Sequence, residues 1–152
     1  MLPQTKAAVA INAVSATAAG TVTSSVVDTL GYDWATIDVW GTTQAASTQA
    51  GSPSVLKLQE CENTTASNFV DITGFRGASA TATNVDFLVG VGVTSGVNNY
   101  KFNVDLRARK RYLSIVISPA TSQTFYGVVN LGRGEQAPIT AAKANVLSLI
   151  EG

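Results

Sequence analysis

The sequence predicts an all-β fold, an antiparallel two-sheet β-sandwich of jelly-roll-like form, and three observations carry that expectation. β-Branched and small residues recur in short runs separated by Gly, Asn, Ser or Pro clusters, which is the rhythm of strands and turns. Several runs alternate between apolar and polar positions, the two-residue period of a strand with one buried and one wet face. No stretch of helical period separates them, so strand follows strand, an order that favours two packed antiparallel sheets over an open one.

The expected strands are Ala7–Val14, Thr21–Thr29, Trp34–Trp40, Val55–Cys61, Phe69–Ile72, Val85–Val91, Tyr100–Leu106, Leu113–Ser118 and Gln123–Leu131. The first carries an Ala/Val alternation. In the third, Ala35, Ile37 and Val39 share one face and Trp34 and Trp40 the other. Leu56 and Leu58 alternate with Lys57 and Gln59 in the next. The clearest pattern is Tyr100, Phe102, Val104 and Leu106 set against Lys101, Asn103 and Asp105. Leu113, Ile115 and Ile117 then share a face, as do Phe125, Gly127, Val129 and Leu131. Gly41–Pro53 and Gly74–Asn84, rich in Thr, Ala and Ser, are expected loops.

Residues 1–152 are expected to form a single domain, with 132–152 as a C-terminal tail. The tail changes character at Gly132-Arg-Gly-Glu-Gln-Ala-Pro138 and reads as a short helix or arm, with Thr140 as an N-cap after Pro138. Ile139, Ala142, Val146 and Leu149 would share one side of it. The tail either folds back on its own sandwich or packs on a neighbouring subunit, which makes Ile139, Val146, Leu147, Leu149 and Ile150 candidate interface residues.

Composition narrows the function. The chain has ten basic and ten acidic residues, net charge zero and only 13% charged residues, against roughly 25% in an ordinary soluble domain. With 45% apolar residues, this sparse charge suits a surface that another subunit covers. It supplies no global field for nucleic acid or an anionic membrane, and neither is an expected partner. No run approaches the roughly 20 apolar residues that cross a bilayer. Cys61 is the only cysteine, which excludes an internal disulfide and multi-cysteine metal sites. The start around Lys6 and Ala16-Thr17-Ala18 has some features of a signal peptide, but Asn12 and Ser15 interrupt its apolar stretch, and a first strand of the fold is the better reading. Asn63-Thr64-Thr65 is formally a glycosylation sequon, without meaning unless the chain is secreted.

No catalytic, cofactor or metal site is expected. The absence of histidine removes Ser-His-Asp and Cys-His nucleophile systems and the usual near-neutral base. Asp28, Asp33 and Asp71 fall near strand ends, and Asp38, Asp86 and Asp105 on solvated faces, with no converging pair. Gly90-Val-Gly92-Val-Thr-Ser-Gly96 has one residue too many for a dinucleotide fingerprint and precedes no helix, so it reads as a Gly-rich hairpin. Arg107, Arg109, Lys110 and Arg111 concentrate positive charge between two strands. They form a solvated connection or an electrostatic dock for an acidic partner surface; a third reading, phosphate binding, lacks an interleaved aromatic stacking platform. For Trp34 and Trp40, core packing in a strand buried on both faces is the plainer reading. If the second face meets water, the pair becomes an aromatic contact face, for a subunit or a sugar.

In general texture and order the chain resembles the capsid decoration, or cement, proteins of tailed bacteriophages. The stretches that carry the resemblance are Val27-Asp-Thr-Leu-Gly-Tyr-Asp-Trp-Ala-Thr-Ile-Asp-Val39, Asn68-Phe-Val-Asp-Ile-Thr-Gly-Phe75, Arg111-Tyr-Leu-Ser-Ile-Val-Ile-Ser-Pro119 and Leu131-Gly-Arg-Gly-Glu-Gln-Ala-Pro138. The resemblance implies a non-enzymatic virion protein, commonly a homotrimer, that binds the outside of an icosahedral head and bridges the major capsid protein subunits. It carries no residue roles. The alternative expectation is a carbohydrate-binding β-sandwich module or a fibre- or tail-associated domain.

Overall fold

The computed structural model describes residues 5–42, 52–79, 85–90 and 96–132. The tail from Ile139, with Val146, Leu147, Leu149 and Ile150, lies outside the described residues, as does most of the Gly41–Pro53 loop. Among the described residues the chain forms β1 (Thr5–Ala16), β2 (Val22–Thr23), β3 (Val27–Asp28), β4 (Trp34–Gly41), β5 (Val55–Cys61), β6 (Val70–Ala78), β7 (Phe87–Leu88), β8 (Asn98–Asp105), β9 (Tyr112–Ser118) and β10 (Gln123–Gly132), with a single 3-10 turn at Ala66–Asn68.

These strands build the two sheets of a β-sandwich. The first is four-stranded, in the order β1-β10-β4-β8; the second runs β2-β9-β5-β6-β7, with β3 also on β9. All pairings are antiparallel except β6 with β7. The alternation read from the sequence sets the inward faces. Ala35, Ile37 and Val39 of β4, Phe102 and Val104 of β8, and Phe125, Val129 and Leu131 of β10 meet Leu56 and Leu58 of β5 and Leu113, Ile115 and Ile117 of β9 in one apolar cluster. Each fully buried aliphatic or aromatic side chain there contributes about 1.5–3 kcal/mol by leaving water.

Three elements differ from expectation, each for a local reason. Thr21–Thr29 divides into β2 and β3 because Ser24 interrupts the backbone ladder. Its amide donates to the Ile115 carbonyl at 2.9 Å, its hydroxyl accepts from the Ile115 amide at 2.9 Å, and the same hydroxyl donates to the Ser25 carbonyl at 2.8 Å. The next amide, of Ser25, donates across to Ala10 of β1 at 2.8 Å, so the chain bridges the two sheets at this point. Second, Gly74 does not begin a loop, for β6 continues through it to Ala78. Ile72 to Phe75 bulge opposite Leu58, and Gly74 takes φ +93°, a conformation glycine adopts without steric cost. Asp86 caps the bulge: its Oδ2 accepts from the amides of Gly74 and Arg76 at 2.7 and 3.0 Å. Third, Val85–Val91 shortens to β7, which lies parallel to β6 with Phe87 opposite Gly77. A Cβ on Gly77 would fall inside the Phe87 ring, so the missing side chain is what admits the aromatic.

Candidate functional site: the outer face of the first sheet

Because side chains alternate across a strand, burying Ala35, Ile37 and Val39 turns Trp34, Thr36, Asp38 and Trp40 outward. Register then fixes their neighbours. On β8, Trp34 faces Asp105, Thr36 faces Asn103, Asp38 faces Lys101 and Trp40 faces Asn99. On β10 the same four face Gly132, Asn130, Val128 and Tyr126. The outer surface is thus a grid of aromatic, amide and hydroxyl groups, crossed by a charge pair from Lys101 Nζ to Asp38 Oδ1 at 3.3 Å.

The two tryptophans do share a face, as their spacing requires, and it is the solvent face. Core packing between two buried faces is therefore not their role. Trp40 is half-buried because it stacks on Tyr126, with ring centroids 6.1 Å apart and planes 10° from parallel. Trp34 remains 38% exposed. Its indole leans over Gly132, at a position where a Cβ would overlap the ring. Leaning towards β10 opens space on the β8 side, where a cleft of about 370 Å³ is lined by Asp33, Trp34, Ala35, Thr36, Asn103, Val104, Asp105 and Arg107. The Thr36 hydroxyl donates to Asn103 Oδ1 at 3.3 Å, and both residues line the cleft.

The basic segment lies beside this corner, and most of its charge is compensated. Arg107 clamps Asp105 through Nε at 2.9 Å and Nη2 at 2.5 Å, and the Arg107 amide also donates to Asp105 Oδ1 at 3.1 Å. The guanidinium bonds, then the backbone bond, hold the Asp105 carboxyl down at about 2. Arg109 Nη1 lies 3.6 Å from Glu60 Oε1, and the Lys110 amide donates to Glu60 Oε2 at 3.0 Å. Arg111 binds Asp28 through Nε and Nη2 at 2.9 and 2.7 Å, and its guanidinium carbon sits 4.9 Å from the Tyr112 ring centre. These bonds tie the β8–β9 connection to β3 and β5.

Of the sequence candidates, the fold brings Trp34 and Arg107 to one cleft and places Trp40 along the same face. Arg109 and Arg111 turn to carboxylates elsewhere. Asn103 and Asp105 were legible in the sequence only as wet positions of their strand, and Tyr126 and Gly132 were not candidates for this site. Their outward or inward side was legible from alternation, but not that β4 runs between β8 and β10. Among the described residues no group of three or more His, Cys, Asp or Glu side chains could hold a metal ion, and no helix is long and apolar enough to cross a membrane.

Fold and site together define a β-sandwich protein with one open, aromatic and polar sheet face. No protein-family model matches the chain, and no curated protein matches it.

Proposed function

We propose that this protein is a non-enzymatic virion component that binds the outer surface of an icosahedral phage capsid, as a homotrimer, and stabilises the shell by bridging major capsid protein subunits. The observation that carries this reading is the exposure of apolar side chains on edge strand β1 and around β3. Val9 and Val14 on β1 are 59% and 40% exposed, Val26 between β2 and β3 is 39% exposed, and Leu30, just after β3, is 65% exposed. The Ser25–Ala10 hydrogen bond holds Val26 beside β1. Exposed apolar side chains grouped at a sheet edge mark a surface that a protein partner covers.

Charge supports the same reading. Among the described residues six ion pairs compensate Lys57, Arg76, Lys101, Arg107, Arg109 and Arg111. A surface so neutralised suits contact with many identical neighbours, where symmetry adds individually weak interfaces. Stabilisation needs no reaction: binding only the assembled shell shifts its equilibrium against disassembly.

The test is co-sedimentation of the purified protein with expanded, empty shells of its own phage, followed by thermal disruption of the particles. The protein should pellet with the shells and raise their disruption temperature, and Val9→Asp should weaken both effects. Protein that stays in the supernatant at saturating shell concentration would refute the reading.

A further inference from the structure

We infer that the cleft between β4 and β8 is a binding site for a neutral pyranose sugar, with Trp34 as its stacking wall and Thr36, Asn103 and Asp105 as its hydrogen-bonding floor. This inference rests on the cleft alone and is independent of the capsid reading.

The chemistry of a sugar ring is two-sided: its C–H face is apolar and its edge carries hydroxyls that each donate and accept. A matching site needs an exposed aromatic wall next to a few fixed polar groups. Trp34 supplies the wall, and its position is built rather than incidental, because the absence of a side chain at Gly132 lets the indole lie down over β10 and leave the cleft open. The polar groups come from paired positions on two rigid strands, Trp34 opposite Asp105 and Thr36 opposite Asn103.

The available valences also match. Asn103 Oδ1 is taken by the Thr36 hydroxyl, so the amide nitrogen is the donor left for a sugar oxygen. Asp105 is held ionised by Arg107; its Oδ1 accepts two bonds and its Oδ2 one, so an acceptor site on Oδ2 remains for a sugar hydroxyl. Because Arg107 is consumed by that clamp with Asp105, it brings no uncompensated positive charge to the cleft. Such a lining admits a neutral sugar and offers an acidic one no free counter-charge. The cleft volume of about 370 Å³ is at the small end for ligand pockets of roughly 300–1,000 Å³, the scale of one or two rings.

The experiment is a backbone and indole NMR titration of the full chain. The probes are the methyl glycosides of glucose, galactose, mannose and N-acetylglucosamine, with N-acetylneuraminic acid as the acidic comparison. At least one neutral glycoside should shift the Trp34 indole signal and the Thr36, Asn103 and Asp105 amides, leaving the Trp40 indole unmoved. Trp34→Ala should weaken that binding by about tenfold, Trp34→Phe should restore part of it, and Asn103→Ala should weaken it with the indole unaltered. Trp40→Ala, on the same face but outside the cleft, should leave affinity unchanged. Absence of any shift at these residues up to tens of millimolar of every neutral probe overturns the inference, as does a response to the acidic sugar alone.

Discussion

Removing the hydroxyl of Ser24 by Ser24→Ala tests whether a side chain truly replaces backbone pairing between β2 and β3. The residue is 8% exposed. Its Oγ accepts the Ile115 amide at 2.9 Å and donates to the Ser25 carbonyl at 2.8 Å. The Ser114 hydroxyl lies farther off, at 3.4 Å. Alanine leaves the Ile115 N–H, on a strand buried on both faces, with no acceptor. An orphaned buried donor costs about 1–3 kcal/mol, and the lost Ser25 bond adds to this only weakly because that carbonyl is nearer solvent. A loss of about 2 kcal/mol is therefore expected, equivalent to roughly 4–8 °C in Tm for a domain of this size. Urea denaturation should show the midpoint falling with an unchanged slope, and the Ile115 amide should exchange faster in deuterated buffer. Ser114→Ala, which removes only the long contact, should cost under about 0.5 kcal/mol. If Ser24→Ala loses no more than Ser114→Ala and Ile115 keeps its protection, the hydroxyl is not the acceptor that closes this gap.

Two further outcomes follow from the edge of the second sheet. Gly77→Ala should destabilise the protein and loosen β7, because the new methyl would occupy the volume of the Phe87 ring; thermal unfolding and amide exchange at Phe87 and Leu88 read the effect, and an unchanged Tm would contradict the close approach. Asp86 is held well below the ordinary carboxylate range, first by the Arg76 side chain and then by the Arg76 and Gly74 amides, and Asp28 and Asp71 are lowered as well, by Arg111 and by Lys57 with Gln59 against the opposing effect of burial. Groups depressed in the folded state contribute stability that is complete above their unfolded value near 4 and is lost as pH falls through the folded value. Stability should thus hold from neutrality to about pH 5 and decline below about pH 4, and Asp86→Asn should flatten that decline in acid denaturation curves; an identical acid profile in the variant would remove Asp86 from the cause.

Most of the long strands were legible because one face is wet and alternation shows it; β9, buried on both faces, was legible from its β-branched run. Val55–Cys61 is found with the expected bounds, and the strands around Phe102, Ile115 and Phe125 differ by a residue or two at their ends. Polar substitution of backbone partners was not legible. Nothing in a run of Thr, Val and Ser announces that the Ser24 hydroxyl will stand in for a carbonyl, nor that Asp86 will cap a bulge a dozen residues before it in sequence. The candidate site shows the same division. Alternation put Trp34 and Trp40 on one side and Asn103 and Asp105 on the wet face of another strand. Only the pairing of β4 with β8 makes one cleft of them, and that pairing joins residues far apart in the chain.

The pairing of β1 with β10 has a bearing on how the molecule is made. Ser15 and Thr124, whose hydroxyls meet at 2.7 Å, are separated by 109 positions, and β10 is also the strand that joins β1 to β4. On the ribosome, β1 must wait unpaired until nearly the whole described chain has been synthesised, and the first sheet then closes around its latest strand. Such non-local closure is intrinsically slow. During the wait, Val9, Ala10 and Ile11 are an apolar segment without a partner, open to the same segment on a neighbouring nascent chain. Once β10 has paired, the bulges that offset β1 between Val9 and Ile11 and again before Val14 interrupt the straight edge that β1 presents, which makes it a poorer template for another strand.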